Sequence, residues 1–454
     1  MTVTVVASPQ PLSGWGRTAS TTAMVSRPVD AASIELALHT QSGGIIARGL
    51  GRSYGDAAQC SGGLTIDASA LSNIGVLDEV SGTIEVGGGV SLHDLMRHII
   101  PSGWFVAVTP GTRYVSVGGA IAADVHGKNH HRDGSFANHV VEMTLVTPTG
   151  TVTVSPDRDP ELFWATAGGM GLTGVVISAT LRLIPIETSW IQVDSQRFTR
   201  LKDLMTTMEE TDDEYRYSVA WLDCVGHRDG NYRSVLTRGD HAPSGAIPDR
   251  LRARSREIPG DPRIRVPRSA PRRLVNRMSV RALNEAWFRG STTSVGSLHP
   301  LAGFFHPLDG VGDWNLLYGP AGFVQYQFAV PPERSDLVGE AVGAIASSGI
   351  PSFLAVLKRF GPGTPGPLSF SQEGWTLALD FPLGPSGLPA LLDSLDEAVA
   401  HAGGRVYLAK DARLRPELLP VMYPRLRDMN AVCRRVDPEG VLASDLSRRL
   451  GISG

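Results

Sequence analysis

The sequence predicts an α+β protein of more than one domain. Its 454 residues allow two or three domains at roughly 100–200 residues each. Between residues 30 and 190, short glycine-bounded apolar runs are mixed with amphipathic helical patterns. After residue 300 the same mixture resumes, beyond a stretch of different character at 236–290.

The elements follow in chain order. "GGIIARG" and "GGLTIDAS" are short strands bounded by glycine. "TIEVGGG" is a strand, and Ser91 then caps the helix "SLHDLMRHII". Asp94 completes a box-like start, and Leu92, Leu95, Met96 and Ile99 share one helical face. "VVEMTLVTPTGTVTVS" is two strands joined at Thr147-Pro148-Thr149-Gly150. "DPELFWATAGG" is a short helix from Asp159-Pro160 to Gly168-Gly169. "GVVISATLRLIPI" is a long β run. Further on, "GFVQYQFAVP" and "GWTLALDFPL" read as strands. "GLPALLDSLDEAVAHAGG" is an amphipathic helix closed by glycine and followed by the strand "RVYLA". The tail from about 411 is helical and arginine-rich.

The stretch 236–290 reads as a mobile or loosely ordered insertion ending in a helix at "RRLVNRMSVRALNEAWFRG". From Arg250 to Arg289 twelve arginines stand against three acids, Glu257, Asp261 and Glu285. Two readings fit: a solvated loop, or a basic lid facing an anionic substrate or an anionic lipid surface.

Composition excludes several classes. A net charge of −3 gives no general attraction to nucleic acid. Cysteine occurs only at Cys60, Cys224 and Cys433, with no C-x-x-C, so neither a disulfide framework nor a zinc ribbon is indicated. The N-terminus lacks a charged region followed by an apolar core, so no signal peptide is expected. No apolar run reaches the ~18 residues of a membrane span. A cytoplasmic protein, soluble or peripheral at a membrane, is expected.

The chemistry concentrates in three glycine clusters. "ARGLGRSYGDAA", residues 47–58, follows a strand and can aim successive backbone N–H groups at one anion. It is neither a G-x-G-x-x-G fingerprint, because Tyr54 stands where the third glycine would fall, nor a phosphate loop, because G-K-[S/T] is missing. "PGTRYVSVGGAIAADVHGKNHH", residues 110–131, places Ser116 to cap a helix whose first turn holds Gly118 and Gly119. Free N–H groups there would suit a pyrophosphate. "AGGMGLTGVV", residues 167–176, is a third close-approach segment. Together they suit one long ligand of dinucleotide size, such as FAD. His126, His130 and His131 also present H-x-x-x-H-H, a spacing that could hold a metal on a helix, but no Glu or Cys nearby completes a set.

In the order "RGLGRSYGD", "PGTRYVSVGGAIAADVHGKNHH", "ELFWATAGGMGLTG", the chain resembles the FAD-binding domain of the vanillyl-alcohol-oxidase superfamily, of the PCMH type. Within it, the chain is similar to the decaprenylphosphoryl-β-D-ribose 2′-oxidase family. "FFHPLDGVGDWNLLYGPAGFVQYQF", "LKRFGPG", "PLSF", "GWTLALDFPL", "GGRVYLAKDARL" and "MYPRL" extend the likeness over nearly the whole chain. The resemblance implies a two-part α+β FAD-binding domain at 10–190 and 405–454. It also implies a substrate domain at 191–404, built on an antiparallel sheet with flanking helices, with the tail returning to the cofactor domain.

The resemblance also implies roles. Ala47, Arg48, Gly49, Leu50, Gly51, Arg52, Ser53, Tyr54, Gly55, Asp56 and Ala57 would line FAD. So would Gly111, Ser116, Val117, Gly118, Gly119, Ala123, Asp124, Val125, His126, Val176 and Tyr407. Arg52 matches the place of a flavin-tethering histidine in many superfamily members and cannot form that bond, so FAD should be non-covalent. Lys410, His126 and Tyr54 would be catalytic. Lys128, Gln325, Gln327, Lys358, Thr376 and Ala378 would contact substrate. Ala378 stands where some members carry a cysteine, and Thr376 where a more polar amide is expected. These departures put the substrate's shape in question.

The implied reaction oxidises a sugar secondary hydroxyl, with the hydride passing to flavin N5 and a base, Lys410 or a group it polarises, taking the proton. In the family this is the first half of an epimerisation at the 2′ carbon of a polyprenyl-phosphoryl ribose. An NADPH-dependent short-chain reductase completes it. The 250–289 segment would then meet the phosphate or the membrane. Two alternatives stay open: an oxidase of a soluble sugar, sugar alcohol or nucleoside, and a non-catalytic flavin-binding subunit.

Overall fold

The computed structural model describes residues 6–41, 43–225, 231–258, 260–262, 264–267 and 274–452. Three sheets carry the architecture. The first holds β1 (Ala7–Ser13), β2 (Ser20–Ser26), β3 (Ile45–Arg48) and β4 (Leu64–Asp67) in the order β1-β2-β4-β3. β1 and β2 form an antiparallel hairpin, whereas β2, β4 and β3 run parallel. The parallel step needs a crossover, and helix Ala31–Thr40 supplies it. Asp30 caps that helix, which buries Ile34, Ala37 and Leu38 against Ile45, Leu64, Val146 and Val175.

The second sheet holds β5 (Thr83–Gly87), β6 (Trp104–Val106), β7 (Val140–Thr147), β8 (Gly150–Val154) and β9 (Val175–Pro185). Its order is β5-β9-β7-β8, with β6 paired to β9. The β7–β8 hairpin turns at Thr147–Gly150, as its sequence predicts. Ser91 caps helix Leu92–Ile99, accepting from Asp94 N–H at 2.9 Å, while the Asp94 carboxylate accepts from the Ser91 hydroxyl at 2.6 Å.

Ten strands follow: β10 (Trp190–Phe198), β11 (Tyr217–Leu222), β12 (Ser234–His241), β13 (Ile264–Arg265), β14 (Ser294–Pro300), β15 (Val311–Gly312), β16 (Phe323–Val330), β17 (Ala355–Phe360), β18 (Gly374–Pro382) and β19 (Arg405–Val406). All but β13 and β15 form one sheet of order β14-β10-β12-β11-β17-β18-β16-β19, antiparallel in each recorded pairing. β13 and β15 form a separate parallel pair. Helices Asp336–Ser348 and Leu388–His401 bury their apolar faces, among them Val338, Val342, Leu392 and Val399, in the principal core. That core is continuous from β5 and β9 to β16 and β18.

Three expectations need correction. The insertion starts beyond 236, because residues 234–241 are an inner strand paired on both sides, to β10 and β11. The division at 404/405 cuts β19 from its sheet, since Arg405 and Val406 pair with Ala329 and Phe328 of β16. "RVYLA" is not one strand: after Val406 the chain turns, with the N–H groups of Lys410 and Asp411 both donating to the Tyr407 carbonyl. The tail does return to the first sheet, where Ile45 N–H donates to Val441 O and Ala443 N–H to Ile45 O.

Candidate active site

A cavity of about 370 Å³ lies where the loops of the first two sheets meet the centre of the third. The loop after β3 forms one wall. The N–H groups of Gly49, Leu50, Gly51, Arg52 and Ser53 make no hydrogen bond to the described residues. Gly51 has φ +64°, the left-handed region, and a Cβ on Gly49 would lie 2.0 Å from Ser116 Oγ. Both glycines are thus demanded by backbone geometry and close approach. Gly111 differs, since a Cβ there would meet nothing within 4 Å, because it faces the cavity.

Ser116 caps helix Val117–Ala122, accepting from Gly119 N–H. The first-turn N–H groups are not free, contrary to expectation. Val117 N–H donates to Val90 O at 2.9 Å and Gly118 N–H to Gly88 O at 2.7 Å. The helix start is docked on the loop after β5, so Gly118 provides close packing rather than a donor. The unspent donors are those of 49–53.

Ala47, Ala57, Tyr54, Gly118, Gly119, Ala123, Val125, His126, Val176 and Tyr407 also line the cavity. Several residues assigned to the cofactor do not. Arg48 turns away to donate to Ser13 O and Ala58 O. Gly55 packs on Asp411, whose carbonyl a Cβ would meet at 1.9 Å. Asp56 pairs with Arg449 of the returning tail. Val117 lies in the core. Asp124 is buried, accepting from Ser135, Ala137 N–H, Thr364 and Ser369, and so ties the second sheet to the 364–369 loop.

The third sheet supplies the opposite wall. Val356 and Lys358 of β17, Ala378 of β18 and Gln325 and Gln327 of β16 face in together. Register places them: Gln327 sits opposite Ala378, Gln325 opposite Asp380, and Lys358 opposite Thr376. Gln327 Nε2 lies 2.9 Å from His126 Nε2 and donates to Thr376 Oγ1 at 3.1 Å. Thr376 therefore stands behind Gln327 rather than on the wall, its own hydroxyl donating to Phe328 O. Lys128 also misses the wall. Its Nζ donates to Phe304 O at 2.6 Å and sits 4.2 Å from that ring's centroid. His126 and His130 do not share a helical face, because helix His130–Asp133 begins after His126, which bridges to Ser135.

Charge is concentrated here. The turn after Val406 carries Lys410 to within 3.8 Å of the Tyr54 ring centroid. Burial lowers the Lys410 pKa to about 7, with Asp380 acting against that shift and Lys358 adding to it. Burial likewise lowers Lys358 to about 7. Burial, Lys358, His130 and Lys410 push His126 well below its ordinary value, so its ring is neutral. Burial raises Asp380 to about 7, opposed by the Gln325 hydrogen bond and Lys410. Tyr54 is raised well above 10.0, chiefly by burial and by Asp380.

Asp380 was not among the sequence candidates. It accepts from Gln325 Nε2 at 2.5 Å and from Tyr318 OH at 3.3 Å. Its signal was present in "LALDFP": a carboxylate inside an apolar run must be buried with partners. Trp15 was also missed. It carries the Arg52 guanidinium 3.9 Å over its ring, a tertiary contact no local pattern announces. Asp261, Pro262 and Arg265 of the arginine-rich segment reach the cavity mouth beside Asp309 and Asp313. Arg113 and Tyr114 hold that approach, donating to Gly260 O and Asp261 Oδ1.

Residues 24–155 match the FAD binding domain family. The chain is 42% identical over 448 residues to decaprenylphosphoryl-β-D-ribose oxidase of Mycolicibacterium smegmatis, covering 97% of each chain. It is 43% identical over 371 residues to an uncharacterized protein of Streptomyces coelicolor, covering 80% of this chain and all of that one. Cytokinin dehydrogenase 3 of Oryza sativa is 29% identical over 175 residues, 36% of this chain and 33% of that protein. The chain belongs to the decaprenylphosphoryl-β-D-ribose oxidase family.

This family member is an FAD-dependent oxidoreductase, and its α+β fold has the two-part PCMH-type FAD-binding domain. The residues present fit the cofactor. The unspent N–H groups of 49–53 suit the pyrophosphate. The space before Gly111 is open, and the buried Nδ1 of His126 has no hydrogen-bond partner among the described residues. No helix among the described residues is long and apolar enough to cross a membrane.

Proposed function

We propose that this enzyme oxidises the 2′-hydroxyl of a polyprenyl-phosphoryl-β-D-ribose to a ketone, the first half of an epimerisation. The relative's name supplies the substrate. The observation that carries the chemistry is the placement of Lys410 over Tyr54, beside Gln325 and Gln327, in a cavity continuous with the cofactor loop.

Bound FAD supplies the acceptor for the hydride leaving the carbinol carbon. Lys410 Nζ, uncharged in part near neutral pH, takes the hydroxyl proton. The ammonium so formed is stabilised by the Asp380 carboxylate, which Gln325 and Tyr318 hold in place. Neutral His126, fixed by Gln327, offers hydrogen bonding without a competing charge. Lys358 adds positive potential on the substrate side of the sheet. Lys128, bonded to the Phe304 carbonyl, orders the neighbouring wall. FAD is held without a covalent bond, since Arg52 is stacked on Trp15 and cannot tether it.

A partner NADPH-dependent short-chain reductase would return hydride to the ketone, and the arginine-rich 250–289 segment would meet the phosphate or an anionic membrane. Anaerobic addition of a polyprenyl-phosphoryl ribose analogue tests the reading: the flavin's visible absorbance should bleach. Flavin that stays oxidised with this analogue and bleaches with a nucleoside or free sugar would reject the lipid-phosphate substrate and favour a soluble one.

A further inference from the structure

Helix Arg277–Gly290 is amphipathic in an unusual sense, because its apolar residues point outward. Met278 is 82% exposed, Trp287 53%, Leu283 48% and, just before the helix, Leu274 41%. Ala282 and Ala286 are exposed between them. Positions 278, 282 and 286, with 283 and 287, lie on adjoining i, i+4 rows and make one continuous face. Only Val280 and Asn284 of the helix are buried. The inner side is nevertheless firmly held. Asn284 donates to Asp223, Arg233 pairs with Glu285 at 2.6 Å, and the Arg233 and Arg197 guanidinium groups cover Phe288. The outward face is therefore presented by a fixed helix rather than left over by a frayed one. Val295, 85% exposed on the edge strand β14, follows soon after in sequence.

The rim of this face is cationic. Arg277 and Arg281 pair with no acid among the described residues, and in sequence the stretch from 250 to 289 holds twelve arginines and three acids in a chain of net charge −3. We propose that this face docks on the anionic surface of a phospholipid bilayer, Trp287, Leu283 and Met278 entering the headgroup boundary and the arginines meeting lipid phosphates. A second copy fits the face poorly, because an isologous contact would bring two arginine rims together. The helix also begins beside the site: Val275 packs on the cluster of Tyr54, Trp314, Tyr318 and Phe323. Docking would thus bring the cavity to the membrane, which rests on the lipid-linked substrate proposed above.

The test uses purified, flavin-loaded protein floated with vesicles of phosphatidylcholine, with and without phosphatidylglycerol. The protein should rise with the anionic vesicles only. Met278→Ser combined with Trp287→Ser should weaken vesicle binding at least ~10-fold. Arg277→Glu with Arg281→Glu should abolish the preference for anionic lipid. Turnover of a short-chain, water-soluble polyprenyl-phosphoryl ribose should be unchanged in the Met278/Trp287 variant. If the wild type fails on that substrate, the substrate reading falls, while flotation reports on docking separately. Absence of flotation, flotation indifferent to the substitutions, or a dimer that the Met278/Trp287 variant splits in light scattering would each overturn the proposal.

Discussion

Gln325 and Asp380 face each other across adjacent strands, with Gln325 Nε2 donating to Asp380 Oδ1 at 2.5 Å. Tyr318 OH donates to the other carboxylate oxygen at 3.3 Å. The pair holds this carboxylate in an apolar interior, where the positive charge of Lys410 favours its ionised form and is favoured by it in return. Asp380→Asn keeps the shape and one acceptor but removes the charge. Without that charge the buried Lys410 loses support for its protonated form, and its pKa falls below about 7. The limb of kcat against pH that reports the base should therefore move to lower pH, with FAD occupancy unchanged. A limb that stays in place while thermal stability drops would make Asp380 a structural residue only.

Lys410 itself separates proton transfer from charge stabilisation. Lys410→Met should slow flavin reduction by ~100- to 10,000-fold while the protein stays yellow. Lys410→Arg keeps a cation of similar reach, but guanidinium does not give up its proton. Rapid-mixing measurements should find the arginine variant about as slow as the methionine one. Substantial recovery with arginine would assign Lys410 to electrostatic stabilisation and leave the base to be found elsewhere.

How much of this was legible in the sequence depends on the range of the forces involved. The 47–57 loop was readable because glycine density reflects local backbone demand, and the hairpin at Thr147–Gly150 and the Ser91 cap were readable for the same reason. Lys410 was singled out, yet in the wrong element. "RVYLA" has strand composition, while the turn after Val406 is set by Tyr407 N–H bonding to Gln327 O on β16. The first-turn donors of helix Val117–Ala122 looked free because their acceptors, Gly88 O and Val90 O, lie some 30 residues upstream in another element. Asp380 needed the β16–β18 register, and Arg52 on Trp15 needed the fold itself.

The cofactor cradle makes opposite predictions at two glycines. Gly49→Ala would drive a Cβ into Ser116 Oγ, so both FAD affinity and thermal stability should fall. At Gly111 a Cβ meets no protein atom, so Gly111→Ala should change apoprotein stability by no more than ~0.5 kcal/mol. It should still weaken FAD binding, because the space it fills is the cofactor's. Flavin titration of the two apoproteins, beside their melting curves, separates the cases. Equal FAD affinity for Gly111→Ala and wild type would place the cofactor away from that loop. In the same preparations, acid precipitation should leave a colourless pellet and a yellow supernatant. Colour retained in the pellet would mean a covalent flavin.

Lys358 offers a stability test of the buried charge. Its ordinary pKa of 10.5 is lowered to about 7 by burial alone. Between these values the unfolded chain holds a proton that the folded one does not, so unfolding free energy rises with pH by up to ~1.4 kcal/mol per unit. Below about 7 both states are protonated and the burial penalty is paid in full. Lys358→Met removes the charge and keeps most of the volume. The variant should be more stable than wild type near ~pH 6, with the advantage shrinking as pH rises toward ~10. Lys410 is less suited, because Asp380, raised by the same burial, contributes the opposite slope at lower pH. Denaturant midpoints of the two holoproteins across this range decide the matter. A difference independent of pH would mean that the Lys358 ammonium is solvated or paired, and that the substrate wall carries no buried free cation.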